Sequence, residues 1–293
     1  MMARSSASLI AIDWGTTNRR LFLLDSRGEA VDTLRDDRGL LAVPPGGFPA
    51  EVAAIRAAHG DLPVLCAGMV GSAQGWVNVP YLPCPAGLAD LAGALHWVEP
   101  GRTAIVPGLS DPAGDVMRGE EVQFLGSFAA GMVPEDALLC QPGTHCKWAW
   151  VTGGKLSGFA TAMTGELFAL LKERSLLAEF LTGEVRDGEA FRGGVRAGLS
   201  GRLTSHLFGV RASALLGLRA AEDSAAYASG LLIGHDVAGE GLQPGEEVHI
   251  LADPHLGALY AAAVTIAGGI PVSLDSHAAF VAGIGQIWKA NQA

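Results

Sequence analysis

One pattern occurs twice in this chain: an apolar strand, a short loop containing Gly-Thr, a second strand, a glycine turn and a third strand. The two Gly-Thr pairs begin at Gly15 and Gly143, which are 128 residues apart, and the turn glycines are Gly28 and Gly154. Two copies of one supersecondary unit predict a chain made of two halves of the same design. Spacing alone leaves two unrelated hairpins as the alternative.

Strand-like and helix-like segments alternate through the rest of the chain, which predicts an α/β fold. Outside the two repeated patterns, strands are predicted at residues 63–67, 103–106 and 248–251, and helices from Gly119, from Thr164, over 223–238 and over 278–289. We expect the domain boundary just before the second pattern, so that residues 1–134 form one domain and residues 135–293 the other.

The composition of the chain excludes some classes of binding partner. Apolar residues make up 49% of the 293 positions, enough for a sizeable core, and the net charge is −10 with no basic run. These features exclude an electrostatic binder of nucleic acid or of an anionic membrane. The uncharged stretch at residues 256–274 is broken by Gly268-Gly269 and Pro271, so we predict a helix followed by a strand rather than a membrane span.

The four cysteines lack the spacing of a metal site. We interpret Cys66, Cys84, Cys140 and Cys146 as reduced thiols of a cytoplasmic protein.

The first Gly-Thr loop has the residue types of an anion site. Asp13 stands at the end of the first strand, where a carboxylate can hold Mg²⁺, usually through water. Arg20 can direct a bidentate donor to the same place, and a Gly-, Thr- and Asn-rich loop offers backbone N–H groups and hydroxyls. A polar hairpin with a paired aspartate is the alternative for one such loop. Two such loops would hold the phosphates of a nucleotide from both sides.

Several sequence blocks carry a specific resemblance. The segment from Asp13 to Arg20 resembles the D-x-G-T-T-x-x-R phosphate motif of the actin-like ATPase and sugar kinase superfamily, and Gly143-Thr144 resembles its second phosphate motif. Further blocks resemble the 2-dehydro-3-deoxygalactonokinases, and they follow one another over nearly the whole chain. These blocks are residues 67–72, 75–76 with 80–82, 116–121, 142–148, 163–167 and 229–234.

The resemblance implies two ribonuclease-H-like domains around an interdomain cleft, with substrate-binding loops in residues 1–134 and nucleotide-binding elements in residues 135–293. The last helix would pack near the domain interface. The activity it implies is a phosphotransferase that uses ATP and Mg²⁺ to phosphorylate the 6-hydroxyl of 2-dehydro-3-deoxy-D-galactonate, a step of galactonate catabolism. The partners are then small molecules, the sugar acid and ATP, and a homo-oligomer stays open.

Positions that match the motifs receive expected roles. Asp13 would organise Mg²⁺. The expected phosphate- and nucleotide-binding residues are Gly15, Thr16, Thr17, Asn18, Arg20, Gly143, Thr144 and His145. His145 has a loop-fixing role as its alternative. The adenosine-binding turn of the superfamily is normally rich in glycine, but here it contains Asp253, Pro254 and His255; Asp253 and His255 are candidates for contact with the ribose or base.

The catalytic base is predicted to be a carboxylate near residue 120. Carbohydrate kinases of the glycerol kinase type carry G-D-Q at the start of the corresponding helix, and this chain has Gly119-Glu120-Glu121 there. Glu120 is the expected general base, and Asp115, in an apparently flexible approach, is the second candidate. The alternative is that Glu120 and Glu121 only complement the helix dipole.

The substrate is expected to be an anion, so few and well-placed cations suffice. Arg118 is expected to pair with its carboxylate, and Trp76 to form an apolar wall unless it is a core residue. Hydroxyl groups of the substrate would meet Ser72 and the backbone of Gly68, Met69, Val70 and Gly71. Two other functions remain open: a kinase of another 2-keto-3-deoxy sugar acid or of a sugar, and a non-catalytic nucleotide-binding sensor.

Overall fold

The computed structural model describes residues 7–292, which divide into two compact units. The first unit comprises the chain up to Asp136 together with Trp150–Phe159 and the segment from Asp275 onward. The second comprises Ala137–Ala149 and Ala160–Leu274. The change of unit after Asp136 lies close to the boundary expected from the sequence. The structure differs at the end of the chain, because the segment from Asp275 belongs to the first unit rather than to the second.

The first unit is built on a six-stranded sheet of order β3-β2-β1-β4-β7-β6. Its strands are β1 (Leu9–Trp14), β2 (Arg19–Leu24), β3 (Ala30–Asp36), β4 (Val64–Gly68), β6 (His96–Glu99) and β7 (Thr103–Ile105). Strand β1 pairs antiparallel with β2 and parallel with β4. Both β1 and β4 are apolar and almost wholly buried, as expected for central strands covered on both faces.

A small sheet of order β5-β8-β9 and three helices complete this part of the unit. The strands are β5 (Leu82–Pro83), β8 (Leu109–Asp111) and β9 (Asp115–Met117), and the helices are α1 (Phe48–His59), α2 (Leu88–Gly93) and α3 (Glu120–Ala129). Short 3-10 turns lie at Leu40–Ala42 and Met69–Gly71. Helix α3 begins where the glycine and the two glutamates of the sequence predicted a helix start.

The next part of the chain forms a five-stranded sheet of order β12-β11-β10-β13-β14. The strands are β10 (Ala137–Gln141), β11 (Cys146–Thr152), β12 (Lys155–Ala162), β13 (Glu247–Leu251) and β14 (Ile270–Leu274). The helices are α4 (Thr164–Arg174), α5 (Glu189–Leu199), α6 (Leu203–Leu215), α7 (Ser224–Gly239) and α8 (Pro254–Ile266), with a 3-10 turn at Ala221–Asp223.

The two sheets share one strand order. The order β3-β2-β1-β4-β7 in the first sheet corresponds, strand by strand, to the order β12-β11-β10-β13-β14 in the second. The predicted turn glycines have the left-handed backbone that a turn demands, with φ of +84° at Gly28 and +73° at Gly154. The repeat predicted from the Gly-Thr loops is therefore a repeat of structure.

The uncharged stretch at residues 256–274 divides as predicted. Helix α8 ends at Ile266, and β14 begins at Ile270 after the two glycines. Within residues 7–292, no helix is both long enough and apolar enough to cross a membrane.

The last helix, α9 (Ser276–Gln292), belongs to the first unit because it crosses α3 at very short range. A Cβ atom on Gly126 of α3 would lie 1.9 Å from the carbonyl oxygen of Ala279, and one on Gly283 would lie 2.1 Å from that of Val122. Glycine on both helices lets the two backbones touch. The sequence showed the small residues of this helix but not which sheet they would join.

Candidate active site

The first Gly-Thr loop, between β1 and β2, is held by its own backbone and by the segment that follows β3. The Gly15 N–H donates to the carbonyl oxygen of Asn18 at 3.0 Å, and the Leu40 N–H donates to that of Gly15 at 2.9 Å. A Cβ atom on Gly39 would lie 2.3 Å from the carbonyl carbon of Thr17, so only glycine fits there. Thr16, Thr17 and Asn18 are left exposed at the tip, where their donors can reach a ligand.

Asp13 and Arg20 face each other across the loop. They are cross-strand partners in the β1–β2 ladder, and Arg20 Nη1 donates to Asp13 Oδ2 at 3.3 Å. Burial raises the pKa of Asp13 to about 6; Arg20 lowers the pKa, and the charge of Glu120 raises it again. The structure therefore brings together three groups that the sequence singled out, and places two carboxyl groups within electrostatic reach of each other.

Close to Asp13 and Arg20, the backbones of three segments approach one another directly: the end of β1, the end of β4 and the start of α3. Gly68, at the end of β4, has φ of +95°, and a Cβ atom there would lie 2.8 Å from the carbonyl oxygen of Trp14. Gly119, just before α3, has φ of +111°, and its Cβ atom would lie 3.1 Å from the Cα atom of Gly68. These two glycines let the start of α3 approach the end of β1, which is how Glu120 comes near Asp13.

The two glutamates at the start of α3 have different environments. Glu120 is half-buried, and its Oε2 accepts from the Arg118 N–H at 3.1 Å. Glu121 is fully buried, and its Oε2 accepts from the Gly119 N–H at 2.7 Å. Burial, with the charge of Glu120, raises the pKa of Glu121 to about 8. Glu121 is thus part of the interior, whereas Glu120 is the glutamate that reaches toward solvent.

The sequence predicts a flexible segment around Asp115, but in the structure this residue belongs to a strand. It begins strand β9, opposite Asp111 of β8, and its Oδ1 accepts from the Val116 N–H at 2.6 Å. Regular strand pairing, which the Asp-Pro-Ala-Gly-Asp sequence concealed, holds it in place.

Arg118 is an enclosed cation with unfilled hydrogen-bonding capacity. Its Nη2 donates to the carbonyl oxygen of Val79 at 2.7 Å, and its guanidinium carbon lies 4.2 Å from the centroid of the Tyr81 ring. Its Nε and Nη1 have no partner in the described part of the chain. Gly71 makes room for this side chain, since a Cβ atom there would lie 2.9 Å from Nη1. An anion is the partner that such a guanidinium lacks.

Several side chains after β4 that the sequence predicts to bind substrate instead make contacts within the protein. The Val70 side chain is fully buried, so only its backbone is available to a ligand. The Ser72 hydroxyl donates to the carbonyl oxygen of Met69 at 2.7 Å. Trp76 stacks on Phe48, with ring centroids 6.1 Å apart, and packs against the main core of the unit. Of the two interpretations of Trp76, the core residue fits these contacts.

The second Gly-Thr loop is held by the first turn of α4. The Glu166 N–H donates to the carbonyl oxygen of Thr144 at 2.9 Å, and Glu166 Oε2 lies 2.6 Å from His145 Nε2. A Cβ atom on Gly165 would lie 2.3 Å from the carbonyl oxygen of Gly143, so helix and loop touch by backbone. These contacts agree with a loop-fixing role for His145.

A small cavity of about 80 Å³ opens beside this loop, within the second unit. Its mostly apolar wall contains Gly143, Thr164, Gly165, Phe168, Ser229, Leu232, Ile233, Leu256 and Tyr260. The two residues proposed for the adenosine turn do not line it. Asp253 caps α8 by accepting from the N–H groups of His255 and Leu256, both at 3.1 Å, and His255 is exposed.

The carboxyl groups present fit a magnesium ion. Within residues 7–292, no group of three or more His, Cys, Asp or Glu side chains is arranged so that it could hold a metal ion. Mg²⁺ does not need one, since it keeps several waters and is usually bound through one or two carboxylates plus substrate phosphates. Burial and, to a smaller extent, the charge of Glu120 raise the pKa of Asp13, and a bound cation would favour its charged form.

Comparison with known proteins identifies the family. Residues 13–287 match the 2-keto-3-deoxy-galactonokinase family. A 2-dehydro-3-deoxygalactonokinase of Escherichia coli (strain K12) is 35% identical, over 97% of this chain and 99% of the relative. The chain belongs to the 2-keto-3-deoxy-galactonokinase family. A second family relative, named probable 2-dehydro-3-deoxygalactonokinase DgoK1, comes from Rhizobium meliloti (strain 1021) and is 34% identical over 96% of both chains.

Solved structures agree. A crystal structure from Sinorhizobium meliloti assigned to the same kinase superposes with a TM-score of 0.89 at 33% identity, over 96% of this chain and 98% of that one. The component A of (R)-2-hydroxyglutaryl-CoA dehydratase from Acidaminococcus fermentans shares the fold alone, at 12% identity and a TM-score of 0.51. The family expected from the motifs is confirmed, as is the mixed α/β fold.

The sequence did not reveal one buried polar cluster of this family member. Asp236, in the middle of α7, accepts hydrogen bonds from Trp148, Thr164 and Tyr260. These residues are spread over more than a hundred positions, and none of them stands out by spacing. A lone aspartate in the apolar run of α7 was the one available signal.

Proposed function

We propose that this chain is an ATP- and Mg²⁺-dependent kinase that phosphorylates the 6-hydroxyl of 2-dehydro-3-deoxy-D-galactonate. The observation that carries the proposal is the gathering of Asp13, Arg20 and Glu120 beside the exposed Gly-Thr loop in a member of this family. Phosphoryl transfer needs little beyond positioning and charge neutralisation, and this is the equipment for both.

In this proposal Asp13 holds the hydrated Mg²⁺. When bound, the ion would neutralise charge on the transferring phosphates. Arg20 is free to contribute to the same task, because its guanidinium is 30% exposed and its contact to Asp13 is long at 3.3 Å. Thr16, Thr17 and Asn18 offer hydroxyl, amide and backbone donors at the loop tip.

Glu120 is proposed as the group that accepts the proton of the attacking hydroxyl. It is half-buried at the start of α3, next to the Asp13 carboxyl group, and one of its oxygens is fixed by the Arg118 N–H. In a loose transition state the hydroxyl proton leaves late, so a weak base is adequate. Asp115 is the alternative, but its carboxyl group is engaged with its own strand.

Arg118 is proposed to pair with the carboxylate of the sugar acid. The support is its enclosed guanidinium with two nitrogen atoms that lack a partner among the described residues. If the residues that enclose Arg118 move aside, the carboxylate of a bound sugar acid would supply hydrogen-bond acceptors for its Nε and Nη1 atoms. A neutral sugar offers hydroxyl acceptors but no negative charge, so we propose that the cation selects acids over sugars of the same size.

The second unit is proposed to hold the nucleotide through Gly143, Thr144 and the adjoining cavity. The strand order shared by the two sheets supports the finer proposal that both units are ribonuclease-H-like. All four cysteines are free and buried, which supports a reducing, cytoplasmic location.

The test is ADP release with MgATP across a panel of 2-keto-3-deoxy sugar acids, neutral sugars and a hexosamine. We expect turnover on 2-dehydro-3-deoxy-D-galactonate and none on the neutral sugars. Preference for another acid would move the proposal to that substrate. Nucleotide binding without turnover on any compound would contradict the enzyme and leave a nucleotide-binding sensor.

A further inference from the structure

A single buried carboxyl group joins four elements of the second unit. Asp236 of α7 accepts from Trp148 Nε1 of β11 through Oδ1, at 2.9 Å. Its Oδ2 accepts from Thr164 Oγ1 of α4 at 2.8 Å and from the Tyr260 hydroxyl of α8 at 2.6 Å. Asp236 is 9% exposed, and Trp148 and Tyr260 are almost completely buried. Three donors on one enclosed carboxyl group fix the relative positions of a strand and three helices.

The Tyr260 hydroxyl is a firm hydrogen-bond donor in this cluster. Burial raises the pKa of Tyr260 well above its usual value, so the phenol keeps the proton that it donates. Trp148, Thr164 and Tyr260 each donate to Asp236, and the buried Cys146 thiol interacts with Asp236 and Tyr260 as well. Removing the carboxyl group would leave three enclosed donors unsatisfied, which is more costly than losing the same bonds at the surface.

One of these bonds leads directly to the second Gly-Thr loop. Thr164 is the first residue of α4, and the next two residues are the ones that hold the loop. Gly165 touches the backbone of Gly143, and the Glu166 N–H donates to the carbonyl oxygen of Thr144. A shift of Thr164 would therefore move the loop with it.

A second bond leads to the cavity beside that loop. Thr164 and Tyr260 both belong to its wall, together with Gly143. Asp236 thus holds two wall residues through one oxygen atom, whereas Trp148, on the other oxygen, is not part of the wall. Oδ2 of Asp236 therefore contacts the cavity wall, whereas Oδ1 contacts only the core.

We propose that Asp236 is a positioning residue for the nucleoside triphosphate, because it holds Thr164 and Tyr260 where the phosphate loop and the adjoining cavity require them. This inference rests on the proposed function, since it takes the second Gly-Thr loop as the place where the nucleotide binds. Asp236 itself does not touch the ligand. It acts through the first turn of α4 and the wall of the cavity.

The experiment measures nucleotide affinity directly, by calorimetric titration of the full chain with ADP and with a non-hydrolysable ATP analogue. The variants are Thr164→Val and Tyr260→Phe, each of which removes one hydroxyl donor to Oδ2 with little change of shape. Thr164→Ser restores the donor. Trp148→Phe is the matched control, because it removes the donor to Oδ1 without changing the cavity wall.

We expect Thr164→Val and Tyr260→Phe to weaken nucleotide binding about tenfold, the order of magnitude of one lost buried hydrogen bond. Thr164→Ser should bind within about twofold of the wild type, and KM for the sugar acid should stay unchanged in all of them. Trp148→Phe should lower the unfolding temperature and leave the nucleotide Kd within about twofold. Asp236→Asn should combine both losses.

The outcomes separate the inference from the function on which it rests. If the wild type turns over substrate and Thr164→Val and Tyr260→Phe keep its nucleotide Kd, the positioning role is wrong and the kinase stands. If Trp148→Phe weakens nucleotide binding as much as Thr164→Val, the cluster is a general stabiliser and the inference is also wrong. If the wild type binds no nucleotide, both proposals fail. Should one hydroxyl variant not fold, the other decides.

Discussion

The two Gly-Thr loops have one backbone plan and different chemistry. At the spacing of 128 residues, Gln141 stands where the first loop has Asp13, and Trp148 stands where it has Arg20. The first loop therefore carries an ion pair next to a glutamate, in a place where burial raises the pKa of Asp13 to about 6. The second loop has neutral residues at both positions, and Trp148 points its N–H to the buried Asp236.

This difference separates two tasks that a kinase must perform. Neutralising phosphate charge and accepting a proton need ionisable groups, and the groups that we propose for both tasks, Asp13, Arg20 and Glu120, are in the first unit. Holding a nucleotide needs a rigid loop with backbone donors, and we propose this task for the second loop, which α4 contacts through Gly165 and Glu166. Substitutions in the first unit should therefore change kcat, whereas substitutions around the second loop should change nucleotide affinity.

The largest effect is expected from Glu120→Gln. The amide keeps the shape and the hydrogen bond from the Arg118 N–H but accepts no proton, so kcat should fall by about 10² to 10⁴-fold. The nucleotide Kd should stay within about twofold of the wild type, because the second loop is unchanged. Steady-state kinetics and calorimetric titration of the same preparation measure both quantities.

The matched control is Asp115→Asn, in β9. We expect near-normal kcat from it, since its carboxyl group is engaged with its own strand. Normal turnover in Glu120→Gln together with a large loss in Asp115→Asn would reverse the assignment of the base.

The second prediction compares two buried carboxyl groups, those of Asp236 and Glu121. Asp236 has three donors, whereas Glu121 has an Oε1 atom that lacks a partner among residues 7–292. The pKa of Glu121 is raised from its ordinary 4.5 to about 8 by burial. Between these values the unfolded chain releases the proton and the folded chain keeps it. Wild-type stability therefore falls as pH rises across this window.

Glu121→Gln removes that loss and keeps an oxygen for the Gly119 N–H. The variant should gain a few kcal/mol of unfolding free energy relative to the wild type between pH 5 and pH 8, since one pKa unit corresponds to about 1.4 kcal/mol. Urea unfolding at both pH values measures the gain. Glu173→Gln, at an exposed position of α4, should show none. A pH-independent difference between Glu121→Gln and the wild type would contradict a neutral, buried Glu121.

The third prediction concerns the bracing of the second loop. In Gly165→Ala the new Cβ atom would lie 2.3 Å from the carbonyl oxygen of Gly143, so helix and loop must separate. KM for ATP should rise at least about tenfold while kcat changes little, because misplaced positioning groups lose binding. Gly209→Ala is the control, since a Cβ atom there meets nothing within 4 Å. A fall in kcat with unchanged KM would contradict the division of tasks.

Much of this arrangement was predictable from local sequence signals. The short apolar segments next to the Gly-Thr loops predict strands of both sheets, and the glutamates after Gly119 predict the start of α3. What failed depends on contacts distant in sequence. The glycines of α3 and α9 allow a close crossing, but the sequence does not say that the two helices meet. Asp236 likewise finds its donors on three other elements, and Asp115 joins a strand that only its partner β8 defines.

The smallest effect is expected from the exposed pair of His145 and Glu166. Their side chains are 47% and 38% exposed, and such a pair contributes about 0.2–1 kcal/mol. His145→Asn should therefore raise KM for ATP about two- to fivefold and leave kcat unchanged. Glu166→Gln should give the same change, and the double variant no further loss, because both remove one interaction. A loss of kcat in His145→Asn alone would place the imidazole on the transferring phosphate and give the second loop a share of the chemistry.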